Sequence, residues 1–180
     1  MDSTTPSSGL YQQMLGEAFE VLPPVLKRFH SVGSITARGV LRVTRGRGLL
    51  LGIIATVMRL PLSGEQVPLF LQVDTRGGVE YWTRDFDKVR LQTTQWRQYG
   101  LLMETAGPMR FGFRLVGDDT GMRFEFVRGW LGLIPVPAFL CPRVEAVTTV
   151  QEEGWWVQVS INLPVLGRLM EYEGKVIPEW

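Results

Sequence analysis

Cysteine and histidine are almost absent from this 180-residue sequence, which contains one of each, Cys141 and His30. A single cysteine excludes a framework of internal disulfides and favours a reducing compartment. The two residues are too few for a zinc site with the usual nitrogen and sulfur ligands, so no metal is expected. The sequence also contains no Walker motif and no G-x-S-x-G motif for a serine–histidine triad. The commonest catalytic templates are therefore excluded.

An excess of one charge and a long hydrophobic run are also missing. The chain has 19 Lys and Arg against 18 Asp and Glu, a net charge of +1. Any attraction to nucleic acid or to an anionic membrane would need a local patch, and no nucleic-acid partner is expected. The longest apolar run, residues 49–58, is about half of what a transmembrane helix needs. Residues 1–9 lack the parts of a secretory signal and indicate a disordered lead, so we expect a soluble, cytoplasmic protein.

Helical patterns occupy two stretches. Residues 10–29 carry apolar side chains at helical spacing and are interrupted by Pro23 and Pro24, which predicts two short helices. His30 follows the second helix, where the helix dipole favours a cation. We interpret it as a cap of the helix C-terminus rather than as a catalytic base. Residues 48–60 are apolar nearly all round, which predicts a helix that is buried or lies against a large hydrophobic surface.

A glycine motif precedes that second stretch. The run from Gly46 to Gly52 follows a predicted strand and loosely resembles a dinucleotide-binding fingerprint. Its spacing is one residue too long, and no parallel βαβ unit follows. We interpret the motif as a turn leading into a packed helix, and no cofactor is expected.

Alternation of polar and apolar residues predicts ten strands in the rest of the chain. They are residues 34–45, 67–74, 79–86, 89–96, 101–105, 109–116, 122–127, 144–151, 155–162 and 166–177. Most connections are short and contain no crossover helix, so neighbouring strands should pair antiparallel. A sheet of about ten twisted strands tends to curl or close. We predict a mostly β (α+β) fold with one domain over residues 10–180. It is an antiparallel β-barrel or strongly curved half-barrel of about ten strands, with short N-terminal helices and one apolar helix against it.

The strand over residues 79–86 holds the best candidate site. Alternation places Glu80, Trp82, Arg84 and Phe86 on one face. Both faces mix polar and apolar residues, so the pattern leaves open which one points inward, and a solvent-facing Glu and Arg ladder is the commoner arrangement. If this face points inward, Glu80 and Arg84 have to be paired, with each other or with a neighbouring strand.

Strongly apolar strand faces add a possible wall for a cavity. Such faces usually form the core of a sheet, but barrels of eight or more strands can also enclose a ligand. The candidate ligand-binding residues are Trp82, Arg84, Phe111, Phe113 and Tyr172. Trp82 would stack on the ligand, and Arg84 would orient a carboxylate, enolate or carbonyl. Glu80 and Glu104 are candidate catalytic acids, since burial among apolar neighbours would raise their pKa.

Short motifs along the chain resemble a known family. They are Leu22-Pro23-Pro24, Arg45-Gly46, Val67-Pro68-Leu69, Trp82-Thr83-Arg84-Asp85-Phe86, Gly107-Pro108, Ile134-Pro135-Val136-Pro137, Pro142-Arg143-Val144-Glu145-Ala146, Leu163-Pro164 and Tyr172-Glu173-Gly174. With them the sequence resembles a bacterial family catalogued as domain of unknown function 4166. The resemblance implies a module that in some proteins follows a saccharopine-dehydrogenase-like domain, and here we expect a stand-alone version. It implies an association with small-molecule metabolism, but no reaction and no site.

Three functions remain open from the sequence. The first is binding of an apolar small molecule, of lipid, polyketide or terpenoid type, in an enclosed barrel cavity. The second is a cofactor-independent cyclase or isomerase of secondary metabolism, which would fold a flexible polyketide-like substrate by enclosure. The third is an interaction module whose helix over residues 48–60 docks on a partner enzyme, a membrane or a second copy in a homodimer.

Overall fold

A computed structural model describes residues 9–180 of the chain, so residues 1–8 of the predicted lead lie outside the described part. The helices are α1 (Leu10–Leu15), α2 (Ala18–Val21), α3 (Pro24–Phe29) and α4 (Leu49–Val57). The strands are β1 (Ser34–Arg45), β2 (Gly64–Arg76), β3 (Val79–Phe86), β4 (Val89–Gln98), β5 (Leu101–Ala106), β6 (Met109–Gly117), β7 (Gly121–Leu131), β8 (Ile134–Val136), β9 (Arg143–Gln151), β10 (Gly154–Leu163) and β11 (Gly167–Glu179).

Ten of these strands form a closed antiparallel barrel. The order is β6-β5-β4-β3-β2-β1-β11-β10-β9-β7, and pairing of β6 with β7 closes the ring. Within residues 9–180, strand β8 pairs only with the last residues of β7. Closure removes the unpaired sheet edges that would otherwise invite pairing with another chain. The prediction of an antiparallel barrel of about ten strands is confirmed.

The two ends of the barrel are covered differently. Helices α1 to α3 lead into the start of β1 and cover one end, where Leu10, Tyr11, Leu22 and Leu26 are almost fully buried. At the other end, which we call the mouth, α4 connects β1 to β2. The turn between β5 and β6, residues 132–142 and the turn between β10 and β11 also lie at the mouth. Because neighbouring strands are antiparallel, alternate connections meet at the same end.

The N-terminal helices differ from the prediction in number. Residues 10–22 form two helices instead of one, because Gly16 takes a left-handed conformation with φ of 57° and ends α1. Helix α3 begins at Pro24, as predicted, with proline in its first turn. The proposed caps Ser7 and Ser8 lie outside the described residues, and Gly9 precedes α1.

The glycine motif is a turn into a packed helix, as predicted. The Gly46 amide donates to the Leu169 carbonyl at 2.9 Å. A β-carbon at Gly46 would lie 1.9 Å from the Arg168 carbonyl oxygen, so only glycine fits this approach of β1 to β11. The Arg45 side chain donates to the Pro61 carbonyl at 2.6 Å, which fastens the segment that leaves α4.

Helix α4 lies against the barrel and is not buried on all sides, which is the second of the two predicted arrangements. Only Leu51 and Ala55 are buried, while Leu49, Ile53 and Val57 are exposed. The physical reason is its position across the mouth, where one side of the helix meets the barrel and the others face outward. Among the helices of residues 9–180, none is long and apolar enough to cross a membrane.

Strand β8 was not predicted, and β7 continues four residues beyond its predicted end at residue 127. The sequence around β8 is rich in proline, and proline lacks the backbone N–H that a strand interior needs. The pairing is possible because β8 is only three residues long. It lies beside the end of β7, after a turn in which Gly132 has a φ of 59°.

Candidate functional site

The barrel encloses a cavity of about 520 Å³ that opens toward the mouth. This volume falls in the range of about 300–1,000 Å³ that is usual for small-molecule sites. Most of the side chains around it are apolar and come from all sides of the barrel. They include Leu71, Phe111, Phe113, Trp155, Val159 and Met170.

Strand β3 turns its mixed face inward. Glu80, Trp82 and Phe86 are buried, whereas Tyr81 on the opposite face is exposed. The predicted alternative, in which Glu80 and Arg84 face solvent, is therefore not found. Trp82 and Arg84 both line the cavity. Strands β2 and β4 flank β3 in register along its whole length and hold this orientation.

Arg84 is paired with Glu104, not with Glu80. Its Nη1 donates to the Thr93 hydroxyl at 2.9 Å, and its Nη2 lies 3.7 Å from the Glu104 Oε1. The guanidinium carbon is 4.9 Å from the centre of the Trp82 ring. Both side chains of the ion pair are 15% exposed, and both line the cavity. Neither predicted pairing is found for the charge: the strand next to β3 contributes the Thr93 hydroxyl, and Glu104 lies one strand farther, on β5.

Glu80 is buried next to Trp82 and does not belong to the side chains that line the cavity. It is 2% exposed, and its carboxylate accepts a hydrogen bond from the Trp82 indole N–H at 2.9 Å. Burial raises the pKa of Glu80 to about 7, although the Trp82 hydrogen bond lowers it. Desolvation favours the neutral acid, so this carboxyl titrates near neutral pH in the folded protein.

The helix-covered end contributes three polar groups that sequence reasoning did not select. The Tyr11 hydroxyl donates to the Gln95 Oε1 at 2.7 Å, and Tyr11 stacks on His30 with ring centres 3.7 Å apart. All three residues are buried and line the cavity. Burial, and then the charges of Glu80 and Glu104, raise the pKa of Tyr11. The alternation of Thr93 and Gln95 on β4 was the one signal in the sequence that could have indicated this group.

His30 is a neutral interior side chain. Burial lowers its pKa to about 3, so the imidazole carries no proton charge at neutral pH. Besides Tyr11, it contacts the rings of Phe29 and Trp82. His30 is the C-terminal cap of α3, as predicted, but its ring is not a cation at the helix terminus. Its backbone ends α3, but the ring lies among aromatic neighbours instead of water.

The remaining candidate residues form part of the apolar wall of the cavity. Phe111 and Phe113 are buried, with ring centres 6.1 Å apart, and Phe113 meets Phe124 edge-on. Tyr172 on β11 packs against Phe86, and burial raises the pKa of its hydroxyl. Of the seven candidate site residues, the cavity brings together six. They are Trp82, Arg84, Glu104, Phe111, Phe113 and Tyr172.

Residues 22–176 match the family described as Domain of unknown function (DUF4166). The chain belongs to this family. The match runs from the end of α2 into β11, so the DUF4166 domain comprises nearly the whole barrel. No curated protein and no solved structure matches the chain.

The chemistry of this DUF4166 cavity is that of an apolar space with polar groups on one part of its wall. One cation, Arg84, and one carboxylate, Glu104, form an ion pair there, and neutral hydrogen-bonding groups lie beside them toward the helix-covered end. Within residues 9–180, no three His, Cys, Asp or Glu side chains come together as metal ligands. The wall can therefore orient a polar end of a largely apolar molecule by hydrogen bonds.

Proposed function

We propose that this protein binds an apolar small molecule, of lipid, polyketide or terpenoid type, in the barrel cavity. The observation that carries the proposal is a closed barrel around about 520 Å³ of mostly apolar space. Protein interiors normally contain few voids larger than one water molecule. An apolar space of this size favours a ligand, because filling it removes apolar surface from water on both sides.

The polar part of the wall favours a ligand with one oxygen-bearing end. Arg84 uses one Nη for Thr93 and lies at a longer distance from Glu104, so its guanidinium retains donors for a carbonyl, enolate or carboxylate. Trp82 offers its ring for stacking beside that group. Phe111, Phe113 and Tyr172 would contact the apolar remainder.

Native mass spectrometry of the purified protein, followed by organic extraction, tests the proposal. We expect one apolar compound per chain. An Ala146→Trp variant should lose it, because Ala146 faces the cavity and the indole would occupy the ligand's volume. The matched control is Val147→Trp on the exposed face of the same strand, which should retain the compound.

Equal amounts of compound in the two variants would show that it binds elsewhere. Absence of any compound, together with no uptake of added long-chain alcohols, acids or terpenoids, would overturn the proposal. Both variants should first be shown to unfold cooperatively, because an overpacked interior can lose about 1–3 kcal/mol of stability.

A second candidate function is a cyclase or isomerase that needs no cofactor. The observation that favours it is the Glu104 carboxylate, which lines the cavity beside the cation that would orient a carbonyl. Enclosure of a flexible substrate lowers the entropic part of the barrier. The Glu104 carboxylate would accept a proton from one atom of the substrate and return it to another. Glu80, which contacts Trp82, would be a positioning residue in this scheme.

Incubation with linear polyketide-type acids and analysis of products by mass spectrometry tests this second function. Glu104→Gln should lower turnover by about 10²–10⁴-fold, since general acid–base catalysis contributes that much. Binding of the same acids should change far less, because the amide keeps the shape of the side chain. The control is Glu145→Gln on the exposed face of β9, and unchanged turnover in Glu104→Gln would rule out this role.

A further inference from the structure

The mouth is surrounded by exposed apolar side chains. We call this surface the rim patch, and it comes from α4, residues 132–142 and the turn between β10 and β11. Its exposed members include Leu49, Ile53, Val57, Leu133, Phe139 and Val165. Leu49 is 85% exposed, Leu133 83% and Phe139 71%. Large contiguous apolar patches of this kind are rare on monomeric proteins and mark interaction sites.

The rim patch is continuous with the cavity. Ile53 and Val57 of α4 are exposed to the outside and also line the cavity, as does Leu140. Helix α4 reaches across to the turn between β5 and β6, where the Met58 sulfur lies 3.6 Å from the position of a β-carbon on Gly107. Whatever covers the rim patch therefore also faces the entrance of the cavity.

Charge is distributed unequally between the two ends of the barrel. The connections at the mouth carry Arg47, Arg59 and Lys88 against one acid, Asp87. The connections and helices at the opposite end carry two cations and six acids, which are Lys27, Arg28, Glu17, Glu20, Asp118, Asp119, Glu152 and Glu153. In residues 9–180, none of the three mouth cations is in an ion pair. The net charge of +1 conceals this asymmetry.

We propose that the rim patch docks on the surface of an anionic lipid bilayer, with the mouth facing the lipid. Apolar side chains on a short helix and its neighbouring loops would enter the interfacial region, and the unpaired cations would meet lipid phosphates. A second copy of the chain would also bury the apolar residues, but it would bring the mouth cations of the two copies together. An anionic bilayer accounts for both the apolar and the basic residues.

Docking also gives an apolar ligand a route between the bilayer and the cavity without passing through water. This consequence rests on the proposed function, whereas docking itself rests on the rim patch and the charges. The two are separated by the measurements, because ligand content is determined without vesicles and vesicle binding without added ligand.

Flotation of the full chain with vesicles tests the docking. We expect at least a tenfold stronger binding to vesicles that contain phosphatidylglycerol than to phosphatidylcholine alone. Raising the salt from about 0.05 M to about 0.5 M should weaken the binding, because salt screens exposed charges. No binding to the anionic vesicles, or equal binding to both kinds at both salt concentrations, would overturn the proposal.

Matched variants locate the contact. Leu49→Glu with Leu133→Glu should reduce vesicle binding at least tenfold. The control is Val21→Glu with Tyr99→Glu, which adds the same charge at the opposite end, where these side chains are 56% and 84% exposed. This control variant should retain at least half of the wild-type vesicle binding. Equal loss in both double variants would overturn the proposal.

A second pair of variants tests the cations. Arg47→Gln with Lys88→Gln should reduce the salt dependence of vesicle binding, whereas Arg76→Gln with Arg97→Gln should not, since these exposed cations lie toward the other end. Light scattering of the wild-type chain gives a further outcome. A dimer that Leu49→Glu with Leu133→Glu dissociates, without vesicle binding by the wild type, would assign the rim patch to a second copy and overturn bilayer docking.

Discussion

Acid should unfold the wild-type protein at a pH where a His30→Phe variant remains folded. Burial lowers the pKa of His30 to about 3 from an ordinary 6.5. Between these values the unfolded chain takes up a proton that the folded chain does not, so the contribution of His30 to stability falls as the pH falls through this window. The slope is about 1.4 kcal/mol per pH unit, and the full loss approaches about 5 kcal/mol at pH 3.

Urea unfolding followed by tryptophan fluorescence at several pH values measures this effect. Phenylalanine keeps a ring against Tyr11 but does not titrate, so any loss of packing is the same at every pH. Hydrogen bonds lower the pKa of Asp118 and Glu179, and these exposed acids weaken both proteins alike at low pH. The difference in free energy of unfolding should widen by about 2 kcal/mol between pH 6.5 and 4.5. Parallel profiles would show that the imidazole is accessible to protons in the folded state.

The case of His30 shows why part of the site could not be predicted from the sequence. The local signal is a helix terminus with Lys27 and Arg28 before it, which favours a cation. The environment of the ring is set by Tyr11 and Trp82, which lie 19 and 52 positions away and reach it only when the helices cover the barrel. Tertiary packing therefore overrides the dipole of a helix only six residues long.

The barrel was predictable because its signals are local and repeated. Strand β1 places Ile35, Ala37, Leu41 and Val43 inward with the period of two that its sequence shows. Short connections then force antiparallel pairing, and ten such strands close. Each strand adds an independent indication of the same architecture, so an error in one boundary does not change the fold.

The orientation of β3 and the partner of Arg84 depend on register, which has no such signal. Both faces of β3 are mixed, so alternation alone could not choose between them. Glu80 was the nearest carboxylate on the same face of the strand, but the Arg84 guanidinium lies 3.7 Å from Glu104 on β5, two strands away. Glu80 instead contacts Trp82, its neighbour on the same face. A contact between two side chains on the same face of one strand could be predicted from the sequence. An ion pair between side chains two strands apart could not.

Glu80→Gln should make the protein more stable at pH 8 and leave its stability unchanged near pH 4. Burial raises the pKa of Glu80 to about 7 from an ordinary 4.5. Between these values the folded chain holds a proton that the unfolded chain has released, so stability falls as the pH rises and becomes constant above pH 7. The loss is about 3 kcal/mol for the full window. The glutamine stays neutral, and its amide oxygen can accept the Trp82 hydrogen bond.

The same urea experiment checks this, with Glu145→Gln as the control for an exposed carboxylate. That control should stay within about 0.5 kcal/mol of the wild type at both pH values, as surface substitutions usually do. A glutamine variant of Glu80 that is less stable at pH 8 would show that the ionised carboxylate has a partner besides Trp82. The slopes due to His30 and Glu80 have opposite signs between pH 4.5 and 6.5 and largely cancel in the wild type. Each single variant should therefore show a steeper pH dependence in this window than the wild-type protein does, and in opposite directions.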